Sequence, residues 1–261
     1  MIVRTNADGS LVLIAQTNHA ELSGMFAAHW GNETFARPQP YHSVVRGTIY
    51  HDAGWYRYEA RPAYDVAAKR TPSFGQVPPD PAQLAAYQWA IDWMSGIDPY
   101  AGLLISRHRT GLWRGRYGRI RNPPPRQASP GDLVAAFVEV NEARQEQALA
   151  KLDRDAFLTN YHNLQIWDLL SLHLCLAQEP QGQTFEPVLT DYDPAVRKDV
   201  RMKLTPLSGG RFELDPYPFD VRPLDVHYLY KHLPTHVFPA EDAFLEAYYA
   251  AVPQLRQFQF C

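Results

Sequence analysis

Two short apolar runs, in MIVRT and LVLIAQ, flank a polar stretch whose Asp8-Gly9 pair predicts a tight turn, so the chain opens on a β-hairpin. From Thr17 the apolar spacing lengthens to three and four, and TNHAELSGMFAAHW predicts a helix capped by Thr17. In PYHSVVRGTIYHDAGW, Pro40 stands near a helix start and Gly54 near its end, which puts His51 and Asp52 in the final turn. Asp80-Pro81 opens a helix that Gly96 closes, and Asp98-Pro99 opens PYAGLLISRHRTGLW at once. The stretch RGRYGRIRNPPPRQ predicts a loop. Ser129-Pro130 then predicts the start of a long helix, and AFLTNYHNLQIWDLLSLHLCLAQ another, making six expected helices in the first 178 residues.

From about residue 183 the texture changes to short β-prone runs, FEPVLT, VRMKLTPL, RFELD and DVHYLYKHL, separated by Asp/Pro and by Gly209-Gly210, and a final amphipathic segment, AEDAFLEAYYAAV, predicts a helix. The expected fold is therefore mainly α: a helical bundle over residues 1–182 with an N-terminal hairpin, and a C-terminal antiparallel β-rich extension over 183–261 with a last helix, α+β overall. The two parts are expected to pack as one compact unit.

Composition narrows the class. With 46% hydrophobic and 13% aromatic residues in 261, the chain can bury a full core. No run approaches the roughly 18 to 20 apolar residues that span a bilayer, and the first residues lack a signal-peptide pattern, so a cytoplasmic protein is expected. Cys175 and Cys261 are far apart and read as reduced thiols. With 25 Lys+Arg against 28 Asp+Glu, a general nucleic-acid binder is not expected, although Arg107, Arg109, Arg114, Arg116, Arg119 and Arg121 make one basic stretch.

Candidate chemistry centres on His51-Asp52, adjacent nitrogen and oxygen donors that become a metal site only if other elements bring more ligands. His19 shares a helix face with Leu22, Ser23 and Phe26, which points its imidazole to the apolar side. Asp168 shares a stripe with Leu164, Ser171, Leu172 and Cys175, where an ionised carboxylate requires a metal or a cation beside it. The alternatives are a core histidine bonded to a carbonyl for His19 and a buried Arg salt bridge for Asp168. His108 lies on a face with Leu104, Ile105 and Leu112, where it reads as a core histidine or one in a cleft that bonds substrate. His162 and His173 share a face roughly 120 to 140° from Asp168 and are expected to miss its metal. His29 and His42 read as structural or exposed.

The order His19, His51-Asp52, Asp168 resembles the H…HD…D pattern of the HD-domain superfamily of metal-dependent phosphohydrolases. More narrowly, the Q-x-x-H-A-x-L-S-G opening, the H-D-x-G-W centre and LQIWDLLSL look like a family known only as domain of unknown function 3891. The resemblance implies an HD-like bundle and a divalent ion (Fe, Mn, Co, Ni or Zn, one or two) held by His19, His51, Asp52 and Asp168, with His108 where two-metal members carry extra histidines. It also implies hydrolysis of a phosphate ester or anhydride, with Asp52 orienting the attacking water and His108 assisting catalysis. A small phosphorylated molecule or nucleotide is the expected partner. Arg46, Lys69 and Arg107 are the candidate anchors for its phosphate, with solvated surface charge as the alternative for each. A dinuclear iron oxygenase and a non-catalytic metal-binding or regulatory protein remain the other readings. The C-terminal β segment is expected to serve as a lid or as a homodimer surface.

Overall fold

The structure, a computed structural model, describes residues 1–115 and 133–261. Seven strands, β1 (Ile2–Thr5), β2 (Leu11–Ile14), β3 (Gln183–Leu189), β4 (Asp199–Pro206), β5 (Arg211–Asp215), β6 (Leu224–Leu233) and β7 (Gln254–Phe260), form one sheet in the order β1-β2-β6-β7-β5-β4-β3. This overturns the expected mainly α, HD-like bundle: the molecule is an α+β fold built on a curled, mixed sheet. The opening hairpin is part of the sheet, since β2 pairs with β6 through Leu11 opposite Leu233. Nor is the C-terminal segment wholly antiparallel, because β5 and β7 run parallel at Arg211–Phe212 and Gln259–Phe260.

The helices are α1 (Gln16–His29), α2 (Tyr41–Ile49), α3 (Trp55–Glu59), α4 (Pro81–Ile97), α5 (Pro99–Trp113), α6 (Leu133–Leu149), α7 (Arg154–Leu176) and α8 (Glu241–Ala250), with a 3-10 turn at Phe74–Gln76. Asp80 and Asp98 cap α4 and α5 as their sequence predicts: the Asp80 carboxylate accepts from Gln83 N, and that of Asp98 from Tyr100 N and Ala101 N. Two boundaries differ. Helix α1 begins at Gln16 after Ala15, so Thr17 is inside it and does not cap. Helix α2 ends at Ile49, leaving His51 and Asp52 in the tight turn before the short α3, which adds a seventh helix before residue 178. The Ser129-Pro130 helix start and Arg116, Arg119 and Arg121 lie outside the described residues.

Both faces of the sheet are covered, and the period-two alternation of β2 shows how. Val12 and Ile14 join the main core with Phe26 of α1, Trp30 just after it and Trp167 of α7, whereas Leu11 and Leu13 join Phe244 and Leu245 of α8 on the opposite face. Trp30 packs edge-on against Trp167 at 5.7 Å, and Phe26 against Phe260 of β7 at 5.3 Å. These contacts clamp α1 and α7 side by side on the sheet. No helix among the described residues is long and apolar enough to cross a membrane.

Glycines set the helix crossings. A Cβ on Gly24 of α1 would stand 2.2 Å from Ile49 Cγ1, and one on Gly102 of α5 would stand 2.7 Å from Ser95 Cα of α4. A Cβ on Gly54 would lie 2.9 Å from Tyr87 Cα, so the turn after Asp52 closes onto α4 only because residue 54 is glycine.

Candidate metal centre

Four segments converge beneath this packing: α1 with His19, the turn after α2 with His51 and Asp52, α5 with His108, and α7 with Asp168. All five residues are buried, none more than 5% exposed. His19 Nε2 lies 3.2 Å from Asp52 Oδ2 and 3.5 Å from Asp168 Oδ1. His51 Nε2 lies 3.5 Å from Asp168 Oδ1 and 3.8 Å from Asp52 Oδ2. His108 stands 3.9 Å from each carboxylate, through Nε2 to Asp52 Oδ1 and through Nδ1 to Asp168 Oδ2. The His51 ring is 5.1 Å from that of His19 and 4.7 Å from that of His108.

Neighbouring groups choose the tautomers. His51 Nδ1 is 2.7 Å from the carbonyl of Thr48, which can only accept, so Nδ1 carries the proton and Nε2 turns its lone pair to the centre. The Ser171 hydroxyl donates to the Asp168 carbonyl at 3.0 Å and so accepts from His19 Nδ1 at 2.7 Å, which bares His19 Nε2 in the same way. Ser23 Oγ braces Ser171 at 2.7 Å, and Gln16 Nε2 donates to Asp52 Oδ2 at 3.3 Å. Helical spacing places Ser23 on the His19 face and Ser171 on the Asp168 stripe, and Gln16 stands in the Q-x-x-H-A-x-L-S-G motif; their supporting roles appear once the helices are packed.

His51 Nε2 and Asp168 Oδ1 face each other with no other hydrogen-bond partner. Two buried acceptors facing each other at 3.5 Å repel unless a positive charge lies between them. In the protein alone that charge is a proton. Burial works against the His51 imidazolium, but the Asp168 and Asp52 carboxylates outweigh it and raise its pKa from 6.5 to about 9. Burial opposes ionisation of Asp52 as well, yet His51 and His19 hold it well below the usual carboxylate range; Asp168 is lowered against its burial by the same two histidines. Burial and the neighbouring His51 charge push His108 down to about 4, so it is neutral at pH 7. Among the described residues no Arg or Lys forms a salt bridge with Asp168; histidines surround it.

A divalent ion fits the same space. Ligand atoms about 2.0 to 2.2 Å from one ion stand roughly 3 to 3.5 Å apart, near the shortest spacings here. Two overlapping sets, His19-His51-Asp168 and His51-Asp52-His108, keep their donor atoms within 4.8 Å of one another and share His51. The three nitrogens and two carboxylates suit a first-row transition ion better than Mg or Ca.

Other sequence-named residues lie elsewhere. Arg46 pairs with Asp98 at 2.7 Å, Lys69 is exposed in a turn with φ of 50°, and Arg107 donates to Gln145 Oε1 at 3.2 Å beside the Tyr161 ring. His162 and His173 bond the carbonyls of Pro187 and Gln181, at 2.6 and 2.8 Å, and His29 pairs with Asp220 at 3.0 Å. His42 packs edge-on against Tyr41 at 5.2 Å. Arg109, expected only as part of a basic stretch, has its guanidinium carbon 3.5 Å over the Tyr87 ring and 4.6 Å over that of Trp113.

No curated protein and no solved structure matches the chain. A family profile described as "Protein of unknown function (DUF3891)" matches residues 1–235, a span that includes all five donors and six of the seven strands. The chain therefore belongs to the DUF3891 family of proteins of unknown function.

Proposed function

We propose that the protein is a divalent-metal-dependent hydrolase of a phosphate ester or anhydride, holding one ion between His19, His51, Asp52, His108 and Asp168. The observation that carries this reading is the facing pair of buried acceptors, His51 Nε2 and Asp168 Oδ1, inside a ring of further donors. The ligand order is that of HD-domain phosphohydrolases, and we read it as a likeness of site carried on a different sheet-based architecture. A bound divalent ion supplies Lewis acidity toward a phosphoryl oxygen and acidifies a water to near neutrality. The chain's own groups do the rest. Thr48 and Ser171 hold the two imidazoles in the ligating tautomer, and Gln16 fixes one carboxylate oxygen of Asp52. Asp52 then has its second oxygen to orient a water, and His108, neutral at pH 7, has a ring-nitrogen lone pair to offer the ion. One ion is favoured over two because the two donor triads share His51 and crowd about one point.

The test is metal counting beside turnover. Purified protein is expected to carry about one equivalent of a transition metal, and His51→Ala to lose it. A panel of phosphoesters and nucleotides should show turnover that disappears in Asp168→Asn. Two equivalents of iron with consumption of oxygen would favour an oxygenase, and metal binding without turnover a regulatory protein.

A further inference from the structure

Beside the metal centre lies a second cluster that the proposed hydrolysis does not yet use. Trp55 follows Asp52 by three residues, Tyr87 rests against Gly54, and Arg109 follows His108 directly. The Arg109 guanidinium carbon lies 3.5 Å over Tyr87, 4.6 Å over Trp113 and 5.8 Å over Trp55, while the Trp55 and Tyr87 rings meet edge-on at 5.8 Å. Rings on several sides strip water from the cation without neutralising it. No carboxylate among the described residues forms a salt bridge with Arg109. Its Nε and the Trp55 indole Nε1 are buried without a hydrogen-bond partner, and the Tyr87 hydroxyl, whose oxygen accepts from the Arg109 guanidinium, has no acceptor for its own hydrogen. Arg Nε and Trp Nε1 donate only, and burial keeps Tyr87 protonated by pushing its pKa up. A box of unmet donors around one permanent cation is suited to an oxyanion, and Arg presents the planar fork that phosphate oxygens accept best.

We propose that Arg109, with Tyr87 and Trp55, forms an anion-binding subsite beside the metal centre that grips a phosphate group of the substrate. It rests on the phosphohydrolase reading for its purpose and not for its binding, and the two are separable by experiment. The alternative is that Arg109 only balances the Asp52 charge through space.

Inorganic phosphate is the probe, titrated calorimetrically into protein loaded with Mn and into protein stripped by chelator, with metal content counted for every variant. Arg109→Met is expected to weaken phosphate binding at least tenfold in both states with metal content unchanged. Arg109→Lys keeps the charge but loses the fork, and is expected to lose at least threefold; full retention of affinity would mean that charge balance alone is at work and would overturn the subsite. Should Arg109→Met fail to fold, Tyr87→Phe keeps the ring and the cation stack, removes one donor, and is expected to cost at least threefold. Unchanged phosphate affinity in these variants, or no phosphate binding to wild type in either state, overturns the subsite. Wild type that binds no metal but loses phosphate in Arg109→Met sinks the hydrolase reading and leaves the subsite standing.

Discussion

At the scale of single residues, His51 decides how the centre responds to pH. Its carboxylate neighbours raise its pKa to about 9, so the metal-free protein holds a proton where an ion would sit. Binding must displace that proton, and metal affinity is therefore expected to rise with pH by up to about tenfold per unit from neutrality to about 9, then level off. Calorimetry in buffers of different ionisation enthalpy would show about one proton released near pH 7; no release would contradict the assignment. His162 behaves oppositely. Burial outweighs its bond to the Pro187 carbonyl and pulls its pKa from 6.5 to about 4, so between those values the unfolded chain binds more protons than the folded one. Its contribution to stability is fully present above 6.5 and is lost as pH falls toward 4, by up to about 1.4 kcal/mol per unit. Replacing it, as His162→Gln, is expected to flatten the fall in denaturation midpoint across that window.

At the scale of elements, glycines determine whether five donors on four segments meet. Gly102→Ala drives a methyl into the backbone of α4 at Ser95, and Gly54→Ala drives one into Tyr87. Each is expected to cost about 1 to 3 kcal/mol by overpacking. Gly54→Ala should also weaken metal binding, because it pries the His51-Asp52 turn off α4. Gly96, within α4 and with nothing near its missing Cβ, is the control: Gly96→Ala is expected to gain roughly 0.5 to 1 kcal/mol. Thermal melts of the three variants with parallel metal counts check all of these, and a neutral Gly102→Ala would mean that α4 and α5 can slide apart.

At the scale of the whole molecule, β2 from the start of the chain pairs with β6 near its end, so residues 1–182 and 183–261 contribute to one sheet. Residues from both parts, such as Trp30, Trp167, Phe219 and Phe260, share one core. The full chain is expected to melt in a single transition, seen alike by far- and near-ultraviolet circular dichroism. Residues 1–182 alone are expected not to fold, since β2 keeps only β1 and loses β6, and α1 and α7 lose most of the sheet they pack on. Two separate transitions, or a folded fragment, would contradict that expectation.

Much of this was legible in the chain. Asp-Pro pairs at 80–81 and 98–99 marked two helix starts because a cap and a fixed φ act within a few residues. Short β-prone runs between turn residues marked the strands, and apolar stripes singled out His19, His108 and Asp168, because helical spacing dictates which side chains share a face. Three things lay outside its reach. The hairpin's place beside β6 joins residues more than two hundred positions apart, and no local pattern encodes that pairing. The Asp8-Gly9 turn alone could not tell an appendage from the edge of a seven-stranded sheet, which is why a mainly α bundle was the natural but mistaken expectation. Arg109 stood out only as one of a run of arginines, because its aromatic box draws on α3, α4 and α5. Periodicity determined which side chains turn inward, whereas only tertiary packing determined that five of them meet at one point with two acceptors face to face.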